Sequence, residues 1–174
     1  MISMGKEALA YAVKGWHVLP LHHPVNGACS CGVSICTSPA KHPRTEHGLS
    51  DATTDLQVIA QWWTEEPNAN IGVRTGQISG IVVLDIDAKN GGLESWQELQ
   101  DFNGRVDTLT SHTGGGGLHL FFDAPADELK STSGQIGPGV DTRAEGGYVV
   151  MPPSRHISGR QYRWEDDDDD ADTD

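Results

Sequence analysis

The sequence predicts an α+β fold with a mixed or antiparallel sheet. Two observations support this prediction. Apolar residues at helical spacing are prominent early in the chain, and short apolar or β-branched runs separated by glycine-containing turns dominate later. Helices followed by a series of strands favour a helical layer packed on such a sheet.

The first helix is predicted over residues 4–15. Ala8 and Tyr11 contribute to its apolar side at helical spacing, and Gly15 ends it because glycine accepts the backbone conformation common just after a helix. Residues 16–21 follow as a predicted strand.

A second helix is predicted over residues 55–66, with Asp51 or Thr53 as its N-cap. Its apolar residues, including Ile59 and Trp63, recur at helical spacing, and we assign this stripe to the core rather than to ligand stacking. The other predicted elements are strands at 71–74, 81–86, 108–112, 118–122, 140–143 and 148–151, a helix at 93–102 and an edge strand at 161–164.

The 174-residue chain has a net charge of −13, and much of that charge lies at one end. Residues 165–174 hold eight acidic side chains and no basic one, which leaves 17 acidic and 12 basic side chains in residues 1–164. We expect 165–174 to be a disordered acidic tail or linker, because it has almost no apolar surface to bury. We expect 1–164 to be one domain, whose charge does not exclude nucleic acid as a partner.

Membrane and secreted classes are disfavoured. No apolar run approaches the ~18 residues that span a bilayer, and the N-terminus lacks the long apolar region of a signal peptide. Three cysteines, an odd number, argue against a disulfide framework. We therefore expect a cytoplasmic protein without a membrane partner.

The segment 80–87, Gly-Ile-Val-Val-Leu-Asp-Ile-Asp, ends a buried strand with Asp85 and Asp87. Residues two apart on a strand point to the same face, so the two carboxylates project together. Neighbouring carboxylates repel and are costly to desolvate unless a cation lies between them. Hard ions such as Mg²⁺ or Mn²⁺ prefer such oxygen ligands. The alternative is a strand that simply runs into an aspartate-rich turn.

Four consecutive glycines, 114–117, precede the strand that carries His119. Glycine lets backbone N–H groups approach an anion closely, which makes Gly116 and Gly117 candidates for phosphate contact. His119 alternates with two leucines, so it faces a cleft when they enter the core. A flexible hairpin loop followed by a half-buried histidine would give the same pattern.

Residues 139–148, Gly-Val-Asp-Thr-Arg-Ala-Glu-Gly-Gly-Tyr, supply a third carboxylate at Asp141 and a guanidinium at Arg143. Asp141 could complete a two-metal site, and Arg143 offers a fork of donors for phosphate. A turn with a surface ion pair is the alternative. Ser154 and Arg155 are further candidates for contact with nucleotide or template phosphate.

The loop at 27–48 contains Cys29, Cys31, Cys36 and His42. Three thiols and one imidazole at this spacing fit a tetrahedral Zn²⁺, and four protein ligands make such an ion structural. Three unrelated reduced cysteines would be the alternative. Other histidines near enough in sequence to compete for the fourth position are His22, His23 and His47.

Taken together and in order, these motifs resemble the bifunctional primase–polymerase (prim-pol) family of the archaeo-eukaryotic primase superfamily. The resemblance runs from Ala8 to about Trp164. It is carried by Leu-Asp-Ile-Asp (84–87), Gly-Gly-Leu-His (116–119), Gly-Val-Asp-Thr-Arg (139–143), Gly-Gly-Tyr-Val-Val-Met-Pro-Pro-Ser (146–154), Pro-Ala-Lys-His-Pro-Arg (39–44) and Asn-Ile-Gly-Val-Arg-Thr-Gly (70–76). The implied fold is archaeo-eukaryotic primase-like, with an RRM-like catalytic sheet, an N-terminal α/β unit and an inserted zinc loop.

The resemblance also implies template-directed nucleotidyl transfer, as in a DNA primase or DNA polymerase. Asp85, Asp87 and Asp141 would hold two Mg²⁺ or Mn²⁺ ions, one activating a primer 3′-hydroxyl and the other clamping the triphosphate. The implied substrates are a DNA template and primer with dNTP or NTP. Phosphate contact would come from His119, the glycine loop, Arg143 and Lys41.

Two features depart from the family pattern. Asp87 stands where some relatives carry the longer glutamate, and the chain ends where family members often continue into a helical region and a helicase. We therefore expect a helical and helicase region, or a separate helicase, as a partner; a mobile-element replicon fits the family by association.

Two other functions stay open from the residues. One is a metal-dependent nuclease or phosphohydrolase that uses the same carboxylates with water as nucleophile. The other is a non-catalytic, zinc-stabilised nucleic-acid-binding module with an RRM-like sheet as platform.

Overall fold

Antiparallel sheets organise the chain, which a computed structural model describes over residues 3–168. The helices are α1 (Met4–Val13), α2 (Leu56–Glu65) and α3 (Gly92–Asn103), with short 3₁₀ helices at Gly48–Asp51, Ala88–Asn90 and Glu165–Asp168. The strands are β1 (Val18–Leu21), β2 (Pro24–Val25), β3 (Ala28–Cys29), β4 (Asn70–Arg74), β5 (Ile81–Ile86), β6 (Thr110–His112), β7 (Leu118–Asp123), β8 (Thr132–Gly137), β9 (Val140–Arg143), β10 (Tyr148–Met151) and β11 (Arg163–Trp164).

The strands form a small sheet, a large sheet and a hairpin. The small sheet has the order β1-β4-β10, and the large sheet has the order β11-β6-β7-β5-β9-β8. β2 and β3 pair with each other. All named strands pair antiparallel, so the α+β prediction is confirmed and the sheet is of the antiparallel kind.

The predicted helices and the predicted strands are all present, several of them with shifted ends. Sequence reasoning missed β2 and β3, which are two residues each, and β8, whose sequence Thr-Ser-Gly-Gln-Ile-Gly has little apolar content. Short or polar strands lack the alternation on which a sequence prediction depends, because their stability comes from the neighbouring strand.

Helices α1 and α2 pack together against the small sheet. Ile59 and Trp63 of α2 are buried with Ala8 and Tyr11 of α1, as the predicted core stripe requires. The N-cap of α2 is Asp55, whose carboxylate accepts the backbone N–H of residues 57 and 58 at 2.8 and 3.2 Å. The predicted caps Asp51 and Thr53 are therefore wrong, because the helix begins two to four residues later than these caps require.

Strand β5 is the central element for the site because it pairs on both edges. β7 lies on one side and β9 on the other. Leu84 and Ile86 pack on one face with Trp96 of α3, whereas Val83 joins the apolar cluster that α1, α2 and the small sheet form on the other face. Since side chains alternate along a strand, Asp85 shares the face of Val83 and points away from α3.

The acidic end of the chain is described only in part. Glu165–Asp168 form a 3₁₀ helix. The predicted disordered tail otherwise falls on residues 169–174, which lie outside the described residues. No helix in residues 3–168 is long and apolar enough to cross a membrane.

The glycine loop before β7 provides a test of packing. A Cβ on Gly117 would lie 1.9 Å from the carbonyl oxygen of Ile86, whereas a Cβ on Gly115 would meet nothing closer than 3.6 Å. We expect Gly117→Ala to lower the free energy of unfolding by about 1–3 kcal/mol through forced displacement of β5. The matched Gly115→Ala should change it by no more than about 0.5 kcal/mol. Urea unfolding of both variants makes the measurement, and equal effects would contradict the packing of this loop.

Candidate functional site

A cavity of about 580 Å³ opens beside the end of β5. Asp85 and Asp87 line one part of it, and residues of the glycine loop, of β10 and of the predicted zinc loop line the rest. The cavity therefore draws on both sheets and on the connections between them.

Asp85 is the central residue of the anionic wall, which consists of Asp85 and the neighbouring carboxylates of Asp87 and Asp141. Strand pairing sets it opposite His119 on β7 and opposite Asp141 on β9. Burial raises the pKa of Asp85, but the imidazole of His119 and the guanidinium of Arg143 outweigh burial and lower that pKa well below its usual range. Asp85 is therefore an anion at neutral pH.

Arg143 lies between two of the predicted carboxylates. Its Nη2 and Nε donate to Oδ2 of Asp85 at 2.9 and 3.2 Å, and Nη2 also donates to Oδ2 of Asp141 at 3.0 Å. The other oxygen of Asp141 accepts from the hydroxyl of Ser133 and the backbone N–H of Gly134, both at 2.9 Å. The guanidinium thus supplies the positive charge that paired carboxylates need.

Asp87 is exposed at the end of the same wall. Its carboxylate caps the 3₁₀ helix Ala88–Asn90 by accepting the N–H of Lys89 at 2.9 Å and the side-chain amide of Asn90 at 2.7 Å. Asp85 and Asp87 line the cavity, and Asp141 is not among the residues that line it. Within residues 3–168, the three predicted aspartates do not form a group whose ligand atoms all lie within 4.8 Å of one another.

His119 faces the cavity, whereas Leu118 and Leu120 pack in the cluster beneath α3. Its Nε2 lies 3.6 Å from Oδ1 of Asp85, and its buried Nδ1 has no hydrogen-bond partner in the described part of the chain. The predicted alternation of β7 is confirmed by this arrangement.

The glycine loop is more closed than the sequence indicates. The N–H groups of Gly116 and Gly117 donate to the backbone carbonyl and the hydroxyl of Thr113 at 2.9 and 3.0 Å. Gly116 has a φ of +93°, which favours glycine. The two glycines therefore form the turn itself, and it is Gly115 that lines the cavity.

Cationic side chains also line the cavity. Lys41, which the sequence analysis selected, lines it together with Lys89 and His156, which sequence reasoning missed. Burial, together with the charges of Lys41, Lys89 and Arg160, lowers the pKa of His156 to about 4. The imidazole is therefore neutral at pH 7, and the cations around it create a positive potential suited to an anionic ligand.

Tyr162 is a further residue that sequence reasoning missed. Its ring is buried, lines the cavity and lies 5.9 Å from the ring of His119. Burial and the charge of Asp85 raise the pKa of Tyr162, so its hydroxyl keeps its proton. Only the position of Lys89 just after the aspartate motif could have indicated one of the missed residues from sequence.

Ser154 lies elsewhere. It is fully buried, and its hydroxyl accepts the backbone N–H of Ile71 at 2.9 Å. Its neighbour Arg155 lines a different cavity, of about 690 Å³. The predicted nucleotide contact of Ser154 has no support here, because the hydroxyl is used to join the segment after β10 to β4.

The predicted zinc ligands come together at the end of β3 and in the loop that follows it. One ligand atom from each of Cys29, Cys31, Cys36 and His42 lies within 4.8 Å of the others. Burial raises the pKa of Cys29, but backbone N–H groups of Ala40 and Cys31 lead the effects that lower it to about 7. A thiolate is thus accessible near neutral pH, and this group could hold zinc.

The competing histidines have other contacts. His22 bonds to Ser30 through Nδ1 at 2.9 Å and contacts the ring of His42, His23 lies 4.0 Å from Glu66, and His47 pairs with Asp51 at 3.1 Å. His42 is therefore the histidine of the group.

The same loop forms part of the cavity wall. The hydroxyl of Tyr148 donates to the carbonyl of Lys41 at 3.0 Å. The side-chain amide of Asn70 donates to the carbonyl of Ala40 at 2.9 Å. These two bonds attach the stretch beside His42 to the small sheet, so the loop that gathers the thiols also positions Lys41.

A family model for the N-terminal domain of bifunctional DNA primase/polymerase, Prim-Pol, matches residues 8–173. The chain belongs to the Prim-Pol family. A comparison with curated proteins finds no match. Prim-Pol membership supports a nucleotidyltransferase of the primase/polymerase type and implies nucleic acid and nucleotide substrates.

The zinc group of this Prim-Pol domain allows a direct test. We expect His42→Ala to abolish stoichiometric zinc and to lower the melting temperature, because the metal replaces core packing in the loop. Zinc content by elemental analysis and thermal unfolding make the measurement. His47→Ala is the control, since His47 pairs with Asp51 outside the group, and it should keep its zinc. Loss of zinc in the control alone would overturn the ligand assignment.

Proposed function

We propose that this domain is the catalytic core of a template-directed DNA primase/DNA polymerase, which adds nucleotides to a primer 3′-hydroxyl with release of pyrophosphate. The observation that supports it best is the division of one cavity into carboxylates and cations, in a chain of the Prim-Pol family. A nucleoside triphosphate with divalent metal needs both kinds of group.

The acidic residues fit divalent metal by their chemistry. Asp85, Asp87 and Asp141 offer hard oxygen donors, and a cation already bridges two of them in the form of Arg143. We assign two Mg²⁺ or Mn²⁺ ions to these three residues. When bound, such ions activate the attacking hydroxyl and stabilise the leaving pyrophosphate.

The remaining residues bind and orient the nucleotide. Lys41 and Lys89 attract the triphosphate to the cavity, and the proposed role of His119 is to donate to a phosphate oxygen. Arg143 offers a second, forked contact to phosphate. Gly116 and Gly117 shape the turn, so a direct contact of their N–H groups with phosphate is not part of this proposal.

The proposed partners are a DNA template and primer, with dNTP or NTP as the incoming substrate. We further propose that the domain works beside a helical region and a helicase, on the same chain or a separate one, in the cytoplasm. Because residues 1–164 carry more acidic than basic side chains, template binding depends on local positive surface rather than on net charge.

Primer extension tests the proposal. Asp85→Ala should reduce extension of a primed template with Mg²⁺ or Mn²⁺ by at least about 10³-fold, because it removes a carboxylate that acts on the reacting centre. Asp123→Ala is the matched control: Asp123 is exposed at the other end of the β5–β7 pairing and should keep wild-type activity. Parallel reactions with dNTPs and NTPs identify the preferred sugar.

The product distinguishes the alternatives. Pyrophosphate release that accompanies elongation supports the polymerase. Asp85-dependent cleavage of a phosphodiester without elongation would replace it with a nuclease, and metal-independent DNA binding without turnover would replace it with a binding module.

Lys89 gives a test of the lysines that line the cavity, Lys41 and Lys89. We expect Lys89→Ala to raise KM for the nucleotide by up to about tenfold with a smaller change in kcat, since an exposed cation contributes modest binding through screened attraction. Steady-state extension kinetics make the measurement. Lys6→Ala, in α1, should leave KM unchanged, and an equal KM for wild type and Lys89→Ala would remove Lys89 from the site.

A further inference from the structure

The bridge made by Arg143 differs from two other arginine ion pairs, those of Arg74 and Arg44. Its guanidinium makes three hydrogen bonds of 2.9–3.2 Å to carboxylates on two neighbouring strands. Arg74 approaches Glu145 at 3.8 Å, and Arg44 approaches Glu66 at 3.6 Å, each contacting a single carboxylate. Arg143 also lines the cavity and keeps 36% of its side chain exposed, so the guanidinium has an open side toward which it can move.

The bridge offsets the repulsion between two neighbouring carboxylates. Asp85 and Asp141 are direct cross-strand partners, and neighbours in an antiparallel pair have Cβ atoms only ~5 Å apart. Two anions at that separation, both largely shielded from water, destabilise the sheet unless a cation accompanies them. Arg143 is two residues from Asp141 on the same strand and therefore on the same face, which puts its guanidinium within reach of both.

We propose that Arg143 is a built-in substitute for the metal, holding Asp85 and Asp141 together until a divalent ion enters and then turning to the triphosphate. This inference rests on the proposed function, because it takes these carboxylates as metal ligands. Oδ2 of Asp85 and Oδ2 of Asp141 are the atoms that the guanidinium uses, and they are oxygens that an ion would also seek. Both cations cannot keep the same lone pairs, and their charges repel at that distance.

Two consequences follow. The carboxylates stay in place without metal, so the acidic wall is preformed. Binding of metal alone is weakened, because it must first displace charge-assisted hydrogen bonds. A triphosphate offers the displaced guanidinium a new partner, so nucleotide and metal strengthen each other's binding by the same factor.

The test measures the metal alone, without nucleotide. Arg143→Met keeps the length of the side chain and removes its charge and donors. We expect this variant to bind Mn²⁺ roughly tenfold more tightly than wild type by titration calorimetry, because no guanidinium must be displaced. In EDTA it should melt at a lower temperature than wild type, and saturating Mn²⁺ should reverse most of that loss. Arg74→Met, which removes an arginine from an ion pair outside the cavity, should leave Mn²⁺ affinity unchanged.

A second measurement uses the wild-type protein and does not depend on the variant folding. The Nε–H resonance of Arg143 in ¹⁵N NMR should shift and exchange faster with solvent as diamagnetic Mg²⁺ is added. A resonance unchanged at saturating Mg²⁺, or Mn²⁺ affinity that is equal or weaker in Arg143→Met, would overturn the inference. If wild type and Asp85→Ala bind Mn²⁺ equally and neither extends a primer, the proposed function itself fails. Asp85-dependent extension with no effect at Arg143 refutes this inference alone.

Discussion

Carboxylates can be held side by side on neighbouring strands only if positive charge is held with them, and this requirement organises the site. β5 is paired on both edges, so Asp85 has His119 on one side and Asp141 on the other. Arg143 completes the group from the same face of β9. The low pKa of Asp85 follows from this arrangement, since burial by itself acts in the opposite direction.

The rest of the fold supports that group from two directions. α3 covers one face of the large sheet with Trp96 and Leu99, and on the opposite face of β5 the cavity lies at the Asp85 end, beyond the apolar cluster that holds Val83. The small sheet then contributes β10, whose Tyr148 reaches the loop of the predicted zinc ligands. Asp85 and Asp141 lie on paired strands, whereas Asp87, Lys41 and Lys89 lie on connections.

Sequence reasoning worked for site residues that lie in strands, because the two-residue period of a strand sets the face to which each side chain points. The alternation of β5 and β7 correctly set Asp85 and His119 on a cavity-facing side, because side-chain direction in a strand depends only on register. It failed for Ser154, because a hydroxyl in a motif gives no sign that a backbone N–H will occupy it. Lys89 and Tyr162 were missed for a related reason: irregular segments bring them to the cavity through tertiary packing that no local pattern encodes.

The hydrogen bond from Tyr148 to the carbonyl of Lys41 joins the loop of the predicted zinc ligands to the cavity. The aspartates lie on other elements, so a reagent that attacks the loop acts on a different part of the cavity. Thiol oxidants or zinc chelators would act on the loop at Cys29–His42, which is next to Lys41. The aspartates lie on a sheet with no cysteine in it and keep their positions. Under the proposed roles, such reagents would weaken nucleotide capture while the acidic residues keep their positions.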